Sequence, residues 1–176
     1  MKHRERFGFL ERLEAHADVF RNEALSLEEE SFYCMPEAAN YSGGSWSAYL
    51  LQLDQFQQDF PLVSLEKNRE RCPKTWAVVS ALPGLVIAGF MRLAPNAEIR
   101  PHRDKRDDDV IRAHVGLQLP ADEQLYWPEG SARLRDIRAL HAAQNRSDRP
   151  RLTLCVNARM PFVIHDGEIP AWGPPQ

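Results

Sequence analysis

From Leu85 onward, short apolar or alternating runs are split by Pro, Asn, Asp and Gly, and this texture limits the fold more than any other feature of the chain. The runs cover 85–93, 97–101, 111–119, 124–127, 131–135, 140–145 and 151–158. Many short strands at close spacing, each closed by a turn-forming residue, imply a sandwich or barrel. The first half reads differently. Phe7, Leu10, Leu13, Ala17, Phe20 and Ala24 recur at helical intervals over 4–25 with Glu and Arg between them, so an amphipathic helix is expected there, weakest at Gly8. Asn40-Tyr41-Ser42-Gly43-Gly44 is a turn signal, and Trp46 to Leu53 reads as a first strand with Trp46, Ala48, Leu50 and Gln52 on one side. Pro73 suits the first turn of a short helix, where its missing N–H costs nothing. The expected organisation is one domain: a mainly helical segment over 1–44, a β core over 45–160 and an irregular tail over 161–176.

A chain of 176 residues can bury a continuous core, and 43% hydrophobic with 27% charged residues is an ordinary globular balance. The formal net charge of -3 argues against a general nucleic-acid binder. Neither a signal-like apolar stretch nor a membrane span is visible. Cys34, Cys72 and Cys155 are odd in number and form no CxxC pair, so neither a disulfide framework nor a thiolate zinc site is expected, and a reducing cytoplasm is the natural location.

Within the β region, His102-Arg103-Asp104 follows Pro101. Residues two apart in an extended chain share a face, so one imidazole and one carboxylate can meet at a point, although charged surface turns yield the same tripeptide. His141, beside Ala142 and Ala143, reads alone as a structural histidine. Taken together, two His and one carboxylate are the inventory of the facial triad that leaves positions open on iron(II), whereas structural zinc wants a fourth ligand and none is evident.

Two strands carry polar faces. In 111–119, Ala113, Val115, Leu117 and Leu119 oppose Arg112, His114, Gly116 and Gln118; in 151–157, Leu152, Leu154 and Val156 oppose Arg151, Thr153, Cys155 and Asn157. Either face could be solvated. In a barrel with a ligand-binding interior the polar face points inward, and Arg112 and Arg151 could then grip a dicarboxylate. The run Arg100 to Asp109 reads as a charge-balanced loop or as a mouth in which Arg103 or Arg106 takes a substrate carboxylate. Trp127 reads as core or as a substrate wall.

The stretches TWAVVSALPGLVIAGFMRLAPNAEIRPHRD, RAHVGLQLP and LHAAQNRSDRPRLTLCV, in the order PHRD, RxHxGL, HxxxNxSxxxR, resemble the aspartyl/asparaginyl β-hydroxylase family over about Lys74 to Arg159. The HRD form is similar to the bacterial free proline and pipecolate hydroxylases of that family. The resemblance implies a cupin-like, jelly-roll double-stranded β-helix and an iron(II)- and 2-oxoglutarate-dependent dioxygenase that hydroxylates an amino acid, free, peptidyl or carrier-tethered. It implies His102, Asp104 and His141 as iron ligands, Arg151 as partner of the distal carboxylate of 2-oxoglutarate, and Arg112 and His114 near its metal-side carboxylate. Retention of Asp104 argues against a halide-rebound enzyme. The chain departs from the family at Met91, where a serine is frequent, at Asn157, where an aspartate is usual, and at Arg133-Leu134-Arg135-Asp136, which replaces a more apolar Phe-Asp run.

Two other functions suit such a scaffold. A metal enzyme without 2-oxoglutarate would have no need of the arginine after His141, and a non-catalytic binding protein would have no need of the convergent ligand set.

Overall fold

A computed structural model describes residues 8–53, 60–104, 110–136 and 138–159. The helical run at the start is two helices, α1 (Gly8–Ala15) and α2 (Ala17–Leu25), joined at His16, whose backbone leaves helical geometry while its Nδ1 contacts the Arg12 carbonyl oxygen at 2.8 Å. The break keeps the apolar stripe intact: Leu10, Leu13, Ala17, Phe20 and Ala24 are all buried. Phe7 lies outside the described residues.

Two short helices follow, α3 (Leu65–Arg71) and α4 (Pro73–Val79). The second begins at the expected proline, and its free N–H groups at Lys74 and Thr75 donate to the Glu23 carboxylate of α2 at 3.1 and 2.8 Å. A side chain from another helix thus satisfies donors that the helix itself leaves unpaired. α3 has no counterpart in the sequence reading, because its Lys, Arg and Glu side chains leave no buried stripe.

The strands are β1 (Tyr33–Cys34), β2 (Tyr41–Ser42), β3 (Trp46–Leu53), β4 (Leu85–Leu93), β5 (Glu98–His102), β6 (Val110–Gln118), β7 (Ala132–Arg135), β8 (His141–Gln144) and β9 (Arg151–Arg159). Part of the expected turn at 40–44 is therefore β2, with the reversal at Gly43, where φ is +77°. The run 124–127 is not a strand. Pro120 leads instead into a single helical turn, α5 (Ala121–Gln124), because Ala-Asp-Glu-Gln favours a helix and the Trp127 N–H closes onto the Glu123 carbonyl at 2.9 Å.

All strand pairs are antiparallel. The large sheet has the order β1-β3-β4-β9-β6-β7 and the small one β2-β5-β8. One face of the large sheet packs on the helices, with Phe90, Ala113, Val115, Leu154 and Val156 meeting Leu13, Phe20 and Val79. The other face looks across a cavity at the small sheet, the layout of a jelly-roll double-stranded β-helix. Gly89 allows β3 and β4 to approach closely, since a Cβ there would stand 2.7 Å from the Tyr49 carbonyl oxygen.

Candidate metal centre and its cavity

β5 and β8 of the small sheet place His102 directly opposite His141 in register. Their rings lie 4.3 Å apart between centroids. Asp104, two residues beyond His102, turns its Oδ1 toward both: 3.3 Å to His102 Nε2 and 3.6 Å to His141 Nε2. One donor atom from each residue lies within 4.8 Å of the others.

The opposite nitrogens fix how these rings are presented. His102 Nδ1 contacts the Arg100 carbonyl at 2.8 Å, and His141 Nδ1 contacts the Ala139 carbonyl at 3.0 Å. A carbonyl oxygen only accepts, so each Nδ1 carries a proton and each Nε2 is turned to the shared point. Such backbone anchoring is the usual support for metal-bound histidine. Burial pushes His141 down to about 4; the Ala139 hydrogen bond opposes this, and the Arg135 charge adds to it. At neutral pH this imidazole is uncharged, the form that binds metal.

Asp104 is held from behind. Arg112 on β6 donates from Nη1 to its Oδ2 at 2.6 Å. Burial would raise the Asp104 carboxyl, but the charge of Arg112, followed by those of His141 and His102, outweighs this and holds it below the ordinary carboxylate value. Arg112 is itself aimed by Asn157, its partner in register on β9, whose Oδ1 accepts from Nε at 2.8 Å. Asn157 thus does by a neutral hydrogen bond what an aspartate there would do with charge.

His114, two residues along β6, contacts Thr153 Oγ1 through Nδ1 at 3.2 Å, while its shielded Nε2 has no partner. Burial, then the charges of Arg135, Arg112 and Arg151, drive its pKa well below the usual histidine value, so it is neutral.

Asn145 and Ser147 of the HxxxNxSxxxR pattern build the turn that delivers β9. Asn145 Nδ2 donates to the carbonyls of Leu93, Ala94 and Arg149 at 3.1, 3.0 and 2.7 Å, and its Oδ1 accepts from Ser147 N and Oγ. The turn leads into Arg151 at the start of β9. Arg151 Nε and Nη2 donate to the two oxygens of Glu123 at 2.7 and 2.8 Å, and its guanidinium lies 5.4 Å over the Trp127 ring.

A cavity of about 400 Å³ joins these groups. Its polar end holds the two histidines and Asp104 with Arg112, His114, Arg135, Arg151 and Thr153. Its other arm is apolar, lined by Ala48, Leu50, Leu53, Phe60, Ile87 and Met91. Met91 faces this arm beside Thr153 in register, so a hydroxyl does stand next to the position where a serine is frequent.

The sequence-derived candidates divide clearly. His102, Asp104, His141, Arg112, His114 and Arg151 all line the cavity. Arg103 also lines it, and its Nη1 donates to the Arg138 carbonyl at 2.6 Å. Arg106 lies outside the described residues. Trp127 is core rather than a substrate wall: it is fully buried behind Arg151, with Nε1 donating to the Ser131 carbonyl at 3.0 Å. Arg135 was missed. It lines the cavity opposite Arg112 in register and is only 7% exposed. The run of two arginines flanking Leu134 carried the signal, because strand alternation puts both on one face. Among the described residues no helix is long and apolar enough to cross a membrane.

The chain is similar to several known proteins. A curated relative, the ornithine lipid ester-linked acyl 2-hydroxylase of Rhizobium tropici, is 35% identical over 110 residues, which are 57% of this chain and 39% of that protein. The chain therefore spans well under half the length of that relative. Among solved structures, a prolyl-4-hydroxylase of Pseudomonas putida aligns at 19% identity over 81% of this chain and 86% of its own, with a TM-score of 0.41. A predicted oxalate decarboxylase of Thermotoga maritima aligns at 11% identity over 74% and 93%, also with a TM-score of 0.41. The family described as aspartyl/asparaginyl beta-hydroxylase matches residues 14–161. That span takes in both sheets and all three converging side chains, and the chain belongs to the aspartyl/asparaginyl β-hydroxylase family.

Proposed function

We propose that this chain is an iron(II)- and 2-oxoglutarate-dependent dioxygenase that hydroxylates an unactivated C–H bond of an amino acid or amino-acid residue. The observation that carries the reading is the convergence of His102 Nε2, His141 Nε2 and Asp104 Oδ1, with both Nδ1 atoms tied back to carbonyls. Two imidazoles and one carboxylate suit ferrous iron with open positions. A closed zinc site calls for four protein ligands, and among the described residues no fourth His, Cys, Asp or Glu joins the group.

Iron(II) held there with 2-oxoglutarate would supply the activation of dioxygen for C–H hydroxylation, with succinate and carbon dioxide as the other products. The protein's part is positional. Arg112 takes one oxygen of Asp104 and leaves the other for the metal. Arg112, His114 and Arg151 border the polar end, where the co-substrate would lie. Arg103, which lines the cavity, would take a substrate carboxylate. The apolar arm keeps water from the reacting carbon and holds the C–H in one orientation.

A second reading of the substrate rests on that same arm. Its lining of Leu50, Leu53, Phe60, Ile87 and Met91 suits an acyl chain as well as an apolar side chain, and the curated relative is named for an acyl group. A mass-spectrometric search for a gain of one oxygen, over free amino acids, peptides and ester-linked acyl lipids, separates the two. Iron-dependent formation of succinate from 2-oxoglutarate, lost in His141→Ala, is the expected result. Its absence with every substrate class would refute the proposal.

A further inference from the structure

We propose that Glu37 and Trp46 form a cation site at the opening of the cavity, which takes an ammonium group of the substrate. The inference rests on the hydroxylase reading above and narrows its substrate class to aliphatic compounds that carry a free amine.

Among the described residues, two acidic side chains line the cavity, Asp104 and Glu37. Asp104 is committed to Arg112 and to the metal point. Glu37 has no ion pair or side-chain hydrogen bond with any described residue. It lines the cavity yet is exposed, which puts it where the cavity meets solvent. Arg103 is likewise exposed and lines the same space. The opening therefore presents one anion and one cation, the complement of a zwitterion.

The loop from Met35 to Tyr41 carries Glu37 and is fastened to Trp46 at both ends. Met35 N donates to the Trp46 carbonyl at 2.9 Å, and the Tyr41 ring meets the Trp46 ring edge to face at 6.1 Å. The Tyr41 hydroxyl closes the loop by donating to the Met35 carbonyl at 3.2 Å, and Arg100 Nη1 ties its middle to β5 through the Ala39 carbonyl at 3.0 Å. Carboxylate and indole are thus kept on one side of the cavity. Trp46 is half-buried and lines the cavity, and its indole has no hydrogen bond among the described residues. Tryptophan is the aromatic side chain that attracts a cation most strongly, and a nearby carboxylate adds to the pull. The Trp46 ring also lies 6.1 Å from that of His102. An ammonium held against it stands beside the metal point, and the aliphatic remainder has the apolar arm of Leu50, Leu53 and Ile87 to enter.

The test is calorimetric titration of the full chain with manganese(II) and 2-oxoglutarate, and again without them. L-Leucine carries both charged groups, its methyl ester keeps only the ammonium, and 4-methylpentanoate keeps only the carboxylate. Octylamine offers the ammonium on a plain chain. Leucine and its methyl ester should bind about tenfold tighter than 4-methylpentanoate. Glu37→Gln and Trp46→Leu should each weaken the amines by about three- to tenfold, while 4-methylpentanoate and manganese(II) stay within about twofold. Leucine binding ahead of octylamine supports the site in the form of a free amino acid; octylamine binding ahead supports it in the form of an amine on a long chain. An acid that binds as tightly as the amines, amines indifferent to Glu37→Gln, or no binding by any amine overturns the proposal. Failure to take up manganese(II) overturns the hydroxylase reading instead, because the preference for amines is read in the metal-free chain as well.

Discussion

Arg112 and Asp104 form a 2.6 Å ion pair that uses one carboxylate oxygen and leaves the other facing two histidine Nε2 atoms. The pair orients a ligand rather than merely neutralising it. Removing such a support typically lowers metal affinity by about 10- to 100-fold. Arg112→Met is therefore expected to weaken manganese(II) binding by about that factor, and Asp104→Ala to abolish it. Electron paramagnetic resonance of free against bound manganese(II) measures both; unchanged affinity in Asp104→Ala would show that the carboxylate is not a ligand, and unchanged affinity in Arg112→Met that the ion pair does not orient it.

Glu123 and Arg151 are a buried pair, their side chains 9% and 8% exposed. Cutting one member strands the other charge away from water. Glu123→Ala should cost about 3–5 kcal/mol in chemical denaturation. The double replacement by methionines should recover most of that loss, since a well-packed apolar pair replaces the ions at little net cost.

Phe20 is fully buried between α2 and the large sheet. Phe20→Ala should lower the unfolding free energy by about 3–5 kcal/mol through lost burial and the cavity left behind. A loss below about 1 kcal/mol would mean that the helices do not seal this face of the sheet.

Burial raises two groups in the helix-facing core: the Cys72 thiol from 9.0 to about 12, and the Tyr49 hydroxyl from 10.0 to about 12. The folded chain holds both protons at pH values where the unfolded chain has released them. Their contribution to stability is complete below pH 9 and falls away as pH rises from there toward about 12. Denaturant midpoints should drop steadily across that interval, and Cys72→Ala should flatten the slope whatever its effect on absolute stability. At pH 8, exposed Cys34 should react with a thiol reagent far faster than buried Cys72 and Cys155.

Much of the architecture was legible from local pattern. The run 85–93 is β4 residue for residue, and β6 and β9 lie within one residue of the expected ends. Alternation also divided their faces correctly, with Ala113, Val115, Leu154 and Val156 toward the helices and Arg112, His114, Arg151 and Thr153 toward the cavity. The reading broke down where one residue's role depends on another far along the chain. Leu125, Tyr126 and Trp127 look like a strand locally, but a helical turn closing on Glu123 claims the segment. Glu123 sits 28 residues before Arg151, and nothing near either one announces the pair. Arg135 was hidden for the same reason. A charged residue on an edge strand reads as solvated until the opposite sheet is seen to enclose it.

The large sheet keeps its two apolar clusters apart, one sealed beneath the helices and one bordering the cavity. Residues such as Leu50, Leu53, Ile87 and Met91 can therefore be exchanged while the helix-facing foundation stays untouched. A lineage built on this plan is free to drift toward bulkier, slimmer or differently shaped guest molecules through a handful of replacements on β3 and β4, without renegotiating how the chain folds.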